Sequence, residues 1–197
     1  MTAPKIFFWV QHLLGIGHLK RTATLARAFR RAGMDVTVVS GGHEVPGLDI
    51  SGAELIQLPP VRAADKYFKV LIDENDKEID DAFRERRRDL LLDAYAAAAP
   101  DVVMTELFPF GRRQLRLELT ALLDAAKAAA HPPLIVSSVR DILVEPPKLE
   151  RVAEMLERIE TYYDRVLIHG DPTLIPFDET FAHADRIADL VTYTGYV

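Results

Sequence analysis

Apolar positions along the chain follow two rhythms that alternate almost from end to end. Ile6–Val10 is a continuous apolar run between polar residues, the pattern of a strand buried on both faces. It leads into Gly15-Ile16-Gly17. Leu19, Thr22, Ala23, Ala26 and Phe29 then recur at helical spacing, with Arg21, Arg27, Arg30 and Arg31 mostly off that face and Gly33 as the stop. Asp35–Ser40 predicts a second strand closed by Gly41-Gly42, and Glu54–Leu58 a shorter third ended by Pro59-Pro60. Residues 61–77 have no clear period and are expected to form a loop or a mobile insertion. Helical spacing resumes over Glu78–Ala99, with Ile79, Ala82, Phe83, Leu90, Ala94 and Ala97 near one face, until Pro100.

The second half repeats the scheme. Asp101–Thr105 is the fourth strand, followed by a helix from about Arg112 to Ala130 with Leu115, Leu119, Leu122, Leu123 and Ala126 at core spacing. Leu134–Ser138 is the fifth strand. A helix from about Pro147 to Tyr163 carries Leu149, Val152, Ala153, Leu156 and Ile159. Arg165–His169 is the sixth strand, and a short helical piece near Glu179–Ile187 leads to a last strand, Leu190–Tyr193. Strands alternating with helices of this length need crossover connections. The predicted class is therefore α/β: a doubly wound, Rossmann-like, mainly parallel sheet with helices on both faces, its first and fourth strands adjacent at the switch point. No internal repeat, low-complexity tract or linker interrupts residues 1–197, which read as a single domain.

Composition narrows the function classes. A net charge of −6 leaves no excess of Lys and Arg to neutralise phosphates, so no nucleic-acid partner is expected. The absence of cysteine excludes disulfides, zinc ribbons and thiol nucleophiles, and fits a reducing cytoplasm. Gln11 and His12 break the first apolar run too early for a secretory leader, and no stretch approaches the ~20 apolar residues that span a bilayer. The chain is expected to be soluble and cytoplasmic, or at most in peripheral contact with a membrane.

In a doubly wound sheet the ligand crevice lies outside the carboxyl ends of the strands. Here those ends are polar. The first strand exits into Gln11, His12 and the Gly15–His18 turn, and the second into Ser40, Gly41, Gly42 and His43. The fourth exits into Glu106, the fifth into Ser138, Arg140 and Asp141, and the sixth into His169, Gly170 and Asp171. Polar residues end strands for structural reasons too, but this set, with its histidines, predicts a binding site. Gly15 and Gly17 would let a ligand approach the backbone at a helix N-terminus. The dinucleotide fingerprint is nevertheless broken: Lys20 stands where its third glycine belongs, and Ser40-Gly41 where an acid should close the second strand. Neither a nicotinamide nor a flavin cofactor is expected. His18, in the first helical turn, is the candidate general base, because the positive helix end favours its neutral ring. Glu106, at the end of the neighbouring strand, would orient that ring and stabilise its cation. The competing reading makes His18 a loop or capping residue and Glu106 a surface ion-pair partner of Arg112 or Arg113. Two further features are bland. Arg84–Arg88 reads as a solvated helix face despite its basic residues, and Phe108-Pro109-Phe110 as core or a greasy lip for an acceptor. No D-x-D triplet or histidine pair with metal spacing occurs.

The run FFWVQHLLGIGHLKRTATLARAFRRAGMDVTVVSGG at 7–42 resembles the opening of GT-B glycosyltransferases, most of all the family-28 type that includes the peptidoglycan N-acetylglucosaminyltransferase. Gly17-His18 matches the glycine-histidine pair that ends the family's glycine-rich turn, although this turn has fewer glycines. TELFPFG at 105–111, SVRDIL at 138–143 and YTGYV at 193–197 look like a bacterial subgroup of predicted glycosyltransferases. The resemblance implies the N-terminal, acceptor-side half of a two-domain enzyme, with the donor-binding half absent and the fragment inactive alone. It implies metal-independent, inverting transfer of a hexosyl-type sugar from a nucleotide-diphosphate donor to an acceptor hydroxyl, with His18 as base. The acceptor would be a small molecule or a lipid-linked glycan. His12, Gly15, Gly17, Gly42, Ser138, Arg140, Asp141 and His169 are the expected acceptor- or phosphate-binding positions. A sugar-nucleotide epimerase of the same architecture and a non-catalytic nucleotide-binding module are the alternatives.

Overall fold

The computed structural model describes residues 2–65, 67–143 and 148–197. Among them the elements run β1 (Lys5–Val10), α1 (Gly17–Arg31), β2 (Asp35–Ser40), β3 (Glu54–Gln57), β4 (Arg62–Ala63), β5 (Leu71–Ile72), α2 (Asp81–Ala98) and β6 (Val102–Glu106). They continue with α3 (Arg116–Lys127), β7 (Leu134–Arg140), α4 (Leu149–Tyr162), β8 (Arg165–His169) and β9 (Val191–Tyr193). Seven strands form one sheet in the order β3-β2-β1-β6-β7-β8-β9, every pair parallel. The chain starts at the centre, winds outward through β2 and β3, returns to β6 beside β1, and winds the other way. The predicted adjacency of the first and fourth long strands is therefore present, and the switch point lies between β1 and β6.

Strand alternation divides the core into two layers. Ile6, Phe8 and Val10 of β1 pack with Val36, Val38, Met104 and Val136 under Leu19 and Ala26 of α1. Phe7 and Trp9 point the other way and join Val39, Val103 and Ile135 under Leu91 of α2, Leu119 and Leu122 of α3, and Leu156 and Ile159 of α4. Helix α1 ends as its sequence implies: Gly33 adopts φ 84°, and the amides of Gly33 and Met34 return to the carbonyls of Arg30 and Phe29. That is a Schellman closure, which favours glycine at the left-handed position.

Several expectations change. Within 61–77, expected to be a loop or a mobile insertion, β4 and β5 pair as an antiparallel ribbon, and Val61, Ala63 and Leu71 enter the core. The ribbon also captures the predicted start of α2. Ile79 donates its amide to Leu71, so the helix begins only after Asp80, whose carboxylate accepts the Phe83 amide at 2.8 Å.

The buried face of α2 is Arg87, Leu91 and Ala94, while Ala82, Leu90 and Ala97 are exposed. Leu90-Leu91-Leu92 and the alanine run fit either phase, and counting Arg87 as polar selects the wrong one. Arg87 is instead fully buried and pairs through both ends of its fork with Glu118 of α3 at 2.9 Å. The solvated-face reading of Arg84–Arg88 therefore fails at Arg87. On α4, Leu149 and Ala153 are exposed and Met155 takes the core position; the predicted helix start at Pro147 lies outside the described residues. The predicted start of α3 is a short 3-10 turn, Arg113–Leu115, and the helical piece near 179–187 is two such turns, Phe177–Glu179 and Ala184–Leu190. Phe108 and Phe110 are core rather than an exposed lip, and Phe110 packs edge-on against Phe177 and Phe181.

Candidate active site

Strand parity decides which polar side chains meet. Met104 and Val136 face the α1 layer, so Glu106 and Ser138, two residues further along β6 and β7, face it as well. His169 is in phase with Leu167, which packs on the same layer. The alternate residues Thr105 and Ser137 turn to the opposite side. Both donate their hydroxyls to the Phe108 carbonyl at 2.9 Å, and Tyr163 also bonds to Thr105 at 2.8 Å. One face of the sheet's carboxyl rim thus collects Glu106, Ser138 and His169, and the other is closed off as structure. Immediately after Glu106 the chain reverses through Leu107, at φ 67°. Gly111 donates to the Leu107 carbonyl, and a Cβ at position 111 would overlap the leucine side chain.

Helix α1 points its first turn at this face. His18 Nδ1 lies 3.0 Å from Glu106 Oε1, and Arg21 Nη2, one turn along, bonds to the same oxygen. Ser138 Oγ donates to Glu106 Oε2 at 2.7 Å and lies 2.9 Å from His169 Nε2, while His169 Nδ1 lies 2.7 Å from Thr194 Oγ1. Glu106 is fully buried. Burial pushes its carboxyl up, but hydrogen bonds from His18, Arg21 and Ser138, together with the Arg21 charge, outweigh that and hold it below the usual value. Burial also depresses His169, to about 4; the Glu106 charge opposes the shift and Arg21 adds to it.

These protonation states fix the direction of every bond. An ionised Glu106 only accepts, so His18 must donate from Nδ1. The 3.3 Å approach of Arg21 Nη2 to that nitrogen is then a contact between two donors that share one acceptor. In its neutral form His18 then carries its lone pair on Nε2, a nitrogen with no hydrogen-bond partner among the described residues. On the other oxygen Ser138 spends its proton on Glu106 and therefore accepts from His169 Nε2, and neutral His169 accepts from Thr194. The result is a one-way line of donors, Thr194 to His169 to Ser138, ending on the carboxylate that supports His18.

Beside the dyad lies a cavity of about 270 Å³ lined by Gly17, His18, Lys20, Arg21, Thr24, Arg140 and Val197. Gly15 and Gly17 need be glycine for no internal reason: a Cβ at either would meet nothing within 4 Å. Gly42 differs, because a Cβ there would overlap the His12 ring. His12 is buried, its Nδ1 unpartnered, and burial with the nearby His43 and Arg112 lowers its pKa.

Asp141 does not join the cluster. Its carboxylate accepts the Ile142 amide at 2.9 Å, its carbonyl accepts the Thr180 hydroxyl at 2.7 Å, and its side chain fills the space that a Cβ at Gly170 would need. The alternative pairing of Glu106 with Arg112 or Arg113 is not what forms. Arg113 faces Glu154 at 3.4 Å, and Arg112 donates to the Gln11 carbonyl at 2.8 Å. Arg112 still feels Glu106: burial pulls it down to about 10, and the carboxylate opposes that shift. Sequence reasoning missed Arg21. Its spacing of three from His18, which places both on one helical face, was the available signal. Among the described residues no group of three or more His, Cys, Asp or Glu could hold a metal, and no helix is long and apolar enough to cross a membrane.

No protein-family model matches the sequence, and no curated protein matches it. Solved structures match it in fold. The calicheamicin glycosyltransferase CalG4 is similar with a TM-score of 0.54 at 15% identity, over 100% of this chain and 54% of its own. UGT2 of Phytolacca americana, complexed with UDP-2fluoro-glucose and pterostilbene, gives 0.52 at 12% identity over 98% and 53%. UGT71G1 of Medicago truncatula, complexed with UDP-glucose, gives 0.50 at 10% identity over 98% and 51%. The chain therefore spans about half the length of the solved structures it matches. At these identities the likeness is one of fold, and that fold is the α/β fold of glycosyltransferases.

Proposed function

We propose that residues 1–197 are the acceptor-side half of a GT-B glycosyltransferase that moves a sugar, with inversion and without a metal, from a nucleotide-diphosphate sugar to an acceptor hydroxyl. The observation that carries this reading is the His18–Glu106 pair, 3.0 Å apart at the carboxyl rim, with Nε2 of the imidazole free. Nε2 takes the proton of the acceptor hydroxyl as its oxygen attacks the anomeric carbon. The bond to the diphosphate oxygen breaks on the opposite face, which inverts the centre. Glu106 stays ionised, keeps the proton on Nδ1 and offsets the imidazolium charge as it forms. Most donor contacts would come from a second half outside residues 1–197. Two of the similar structures carry UDP-sugars, which supports a nucleotide-sugar donor. Family-28 kinship, a cytoplasmic setting and peripheral membrane contact for a lipid-linked acceptor belong to the same proposal.

The test uses a protein that carries this chain together with a donor-binding half. Nucleotide sugar is supplied with and without acceptor, and the anomeric configuration of the product is read by NMR. Acceptor-dependent transfer with inversion, lost in His18→Ala, supports the proposal. Retention of configuration overturns it, and an epimerised nucleotide sugar formed without acceptor points to the epimerase instead.

A further inference from the structure

Glu106, Ser138 and His169 stand in β6, β7 and β8, Thr194 follows directly after β9, and these strands are neighbours in that order, so one line of side chains crosses the rim. Among the described residues the Glu106 carboxylate takes hydrogen bonds from three side chains: His18 and Arg21 share Oε1, and Ser138 alone serves Oε2. Ser138 Oγ has one proton and two acceptors in reach, Glu106 Oε2 at 2.7 Å and His169 Nε2 at 2.9 Å. The tautomer of His169 settles which receives it. With the His169 proton on Nε2, Ser138 must give its own to Glu106; with that proton on Nδ1, Ser138 can turn to Nε2 and leave Oε2 bare. Thr194 decides between the two. Its hydroxyl lies 2.7 Å from His169 Nδ1, closer than the Gly195 and Ile168 carbonyls at 3.0 and 3.4 Å, and a proton given to Nδ1 keeps that of His169 on Nε2. Burial alone does not call for this line. A serine by itself satisfies Oε2, and the histidine behind it adds no donor to the carboxylate. Ser138 and His169 are buried, whereas Thr194 is exposed.

We infer that Ser138, His169 and Thr194 are positioning residues, which act on His18 through Glu106 and set the tautomer in which the imidazole works. The inference rests on the reading of His18 as the base, and it gives Ser138 and His169 a different part from the ligand contacts expected of those positions. Pinned at Oε2 by Ser138, the carboxylate stays turned so that Oε1 meets His18 Nδ1. That contact holds the ring proton on Nδ1 and leaves the lone pair on Nε2, where the acceptor hydroxyl gives up its proton. If the line reverses, Oε2 loses its donor, the carboxylate turns toward the donors that remain, and its preference for one His18 tautomer weakens.

The experiment is nitrogen-resolved NMR of the histidine rings in residues 1–197, in mildly alkaline buffer, with Ser138→Ala, Thr194→Val and Thr194→Ser beside the wild type. Ser138→Ala removes a single buried atom and Thr194 is exposed, so the variants are expected to fold, and circular dichroism checks this. The His18 signals are those missing from His18→Ala. Wild-type His18 is expected to carry its proton on Nδ1. Ser138→Ala should lower the ratio of the Nδ1–H to the Nε2–H form by roughly three- to tenfold, the scale of one hydrogen bond. Thr194→Val should lower it by roughly twofold, because its effect passes through two further bonds, and Thr194→Ser should leave it as in the wild type. In the two-half protein Ser138→Ala and Thr194→Val should lower kcat without raising the KM for acceptor, since no ligand contact is lost. An unchanged tautomer ratio in either folded variant, or a rise in KM at constant kcat, overturns the inference. A shifted tautomer in a protein that transfers no sugar keeps it and sinks the transferase reading, so the two fail separately.

Discussion

At the scale of single residues, the site rests on which nitrogen of His18 is free. In the two-half protein His18→Ala is expected to lower turnover by roughly 10²–10⁴-fold, the span of general base catalysis. The fold should persist, since the ring is partly exposed at a helix start. Glu106→Gln should cost less, because it orients the imidazole without taking the proton, and the two losses should not add if the pair acts as a unit. Steady-state kinetics across pH gives a second readout: the acidic limb of the wild-type profile should disappear in His18→Ala. Near-normal turnover in His18→Ala combined with abolition in Glu106→Gln would make the carboxylate the base.

His169 makes a separate prediction about stability. Its folded pKa, about 4, lies below the ordinary 6.5, so between those values the unfolded chain binds a proton that the folded one refuses. Stability must therefore fall as pH drops through this window. At about 1.4 kcal/mol per pKa unit the loss approaches about 3 kcal/mol by pH 4. Glu106 and His12 shift in the same direction, so the comparison must be with His169→Gln. Urea midpoints at pH 7.5 and 4 should converge more for that variant than for the wild type. Equal acid sensitivity in both proteins would mean that His169 is not held neutral.

At the scale of elements, the buried Arg87–Glu118 pair joins α2 to α3 and also ties both to the rim. Arg87 donates to the carbonyls of Gly41 and Pro59 and to Gln11 Oε1, and Gln11 in turn donates to the carbonyls of His12 and Val61. Removing one partner leaves an unpaired buried charge, so Arg87→Met is expected to cost about 3–5 kcal/mol in denaturant unfolding. Arg87→Met with Glu118→Leu should recover part of that loss, since no lone charge remains. A double variant no more stable than Arg87→Met would show that the bonds to the rim carbonyls, rather than the ion pair, dominate the cost.

At the scale of the whole molecule, both faces of the sheet are covered and both core layers are filled, so residues 1–197 are expected to unfold cooperatively on their own. The same chain should show no sugar transfer, because the proposal puts most donor contacts elsewhere; measurable transfer by residues 1–197 would refute that division of labour. Nicotinamide cofactors should bind weakly or undetectably. Lys20 stands beside the cavity where the fingerprint wants glycine, and β2 ends at Ser40 with Gly41 following, where an acid is wanted. Micromolar NAD affinity by calorimetry would contradict this.

The sequence by itself determined the order of the seven sheet strands and the four long helices, and through it the pairing of His18 with Glu106. Hydrophobic period is a local property, legible within a few residues. Once the strands are known to be parallel and doubly wound, topology brings the end of β1 and the end of β6 to one rim, although 88 positions separate the two side chains. Tertiary structure alone decided which charges are buried and with whom. Arg21 and Arg87 look alike in sequence, both basic residues on amphipathic helices. One is committed to a carboxylate 85 residues away and the other to one 31 residues away. The ribbon of β4 and β5 was invisible for the same reason, since two-residue strands show no period. A charge enters the interior only where a partner from another element offsets its desolvation, and that partner exists only once the chain has folded.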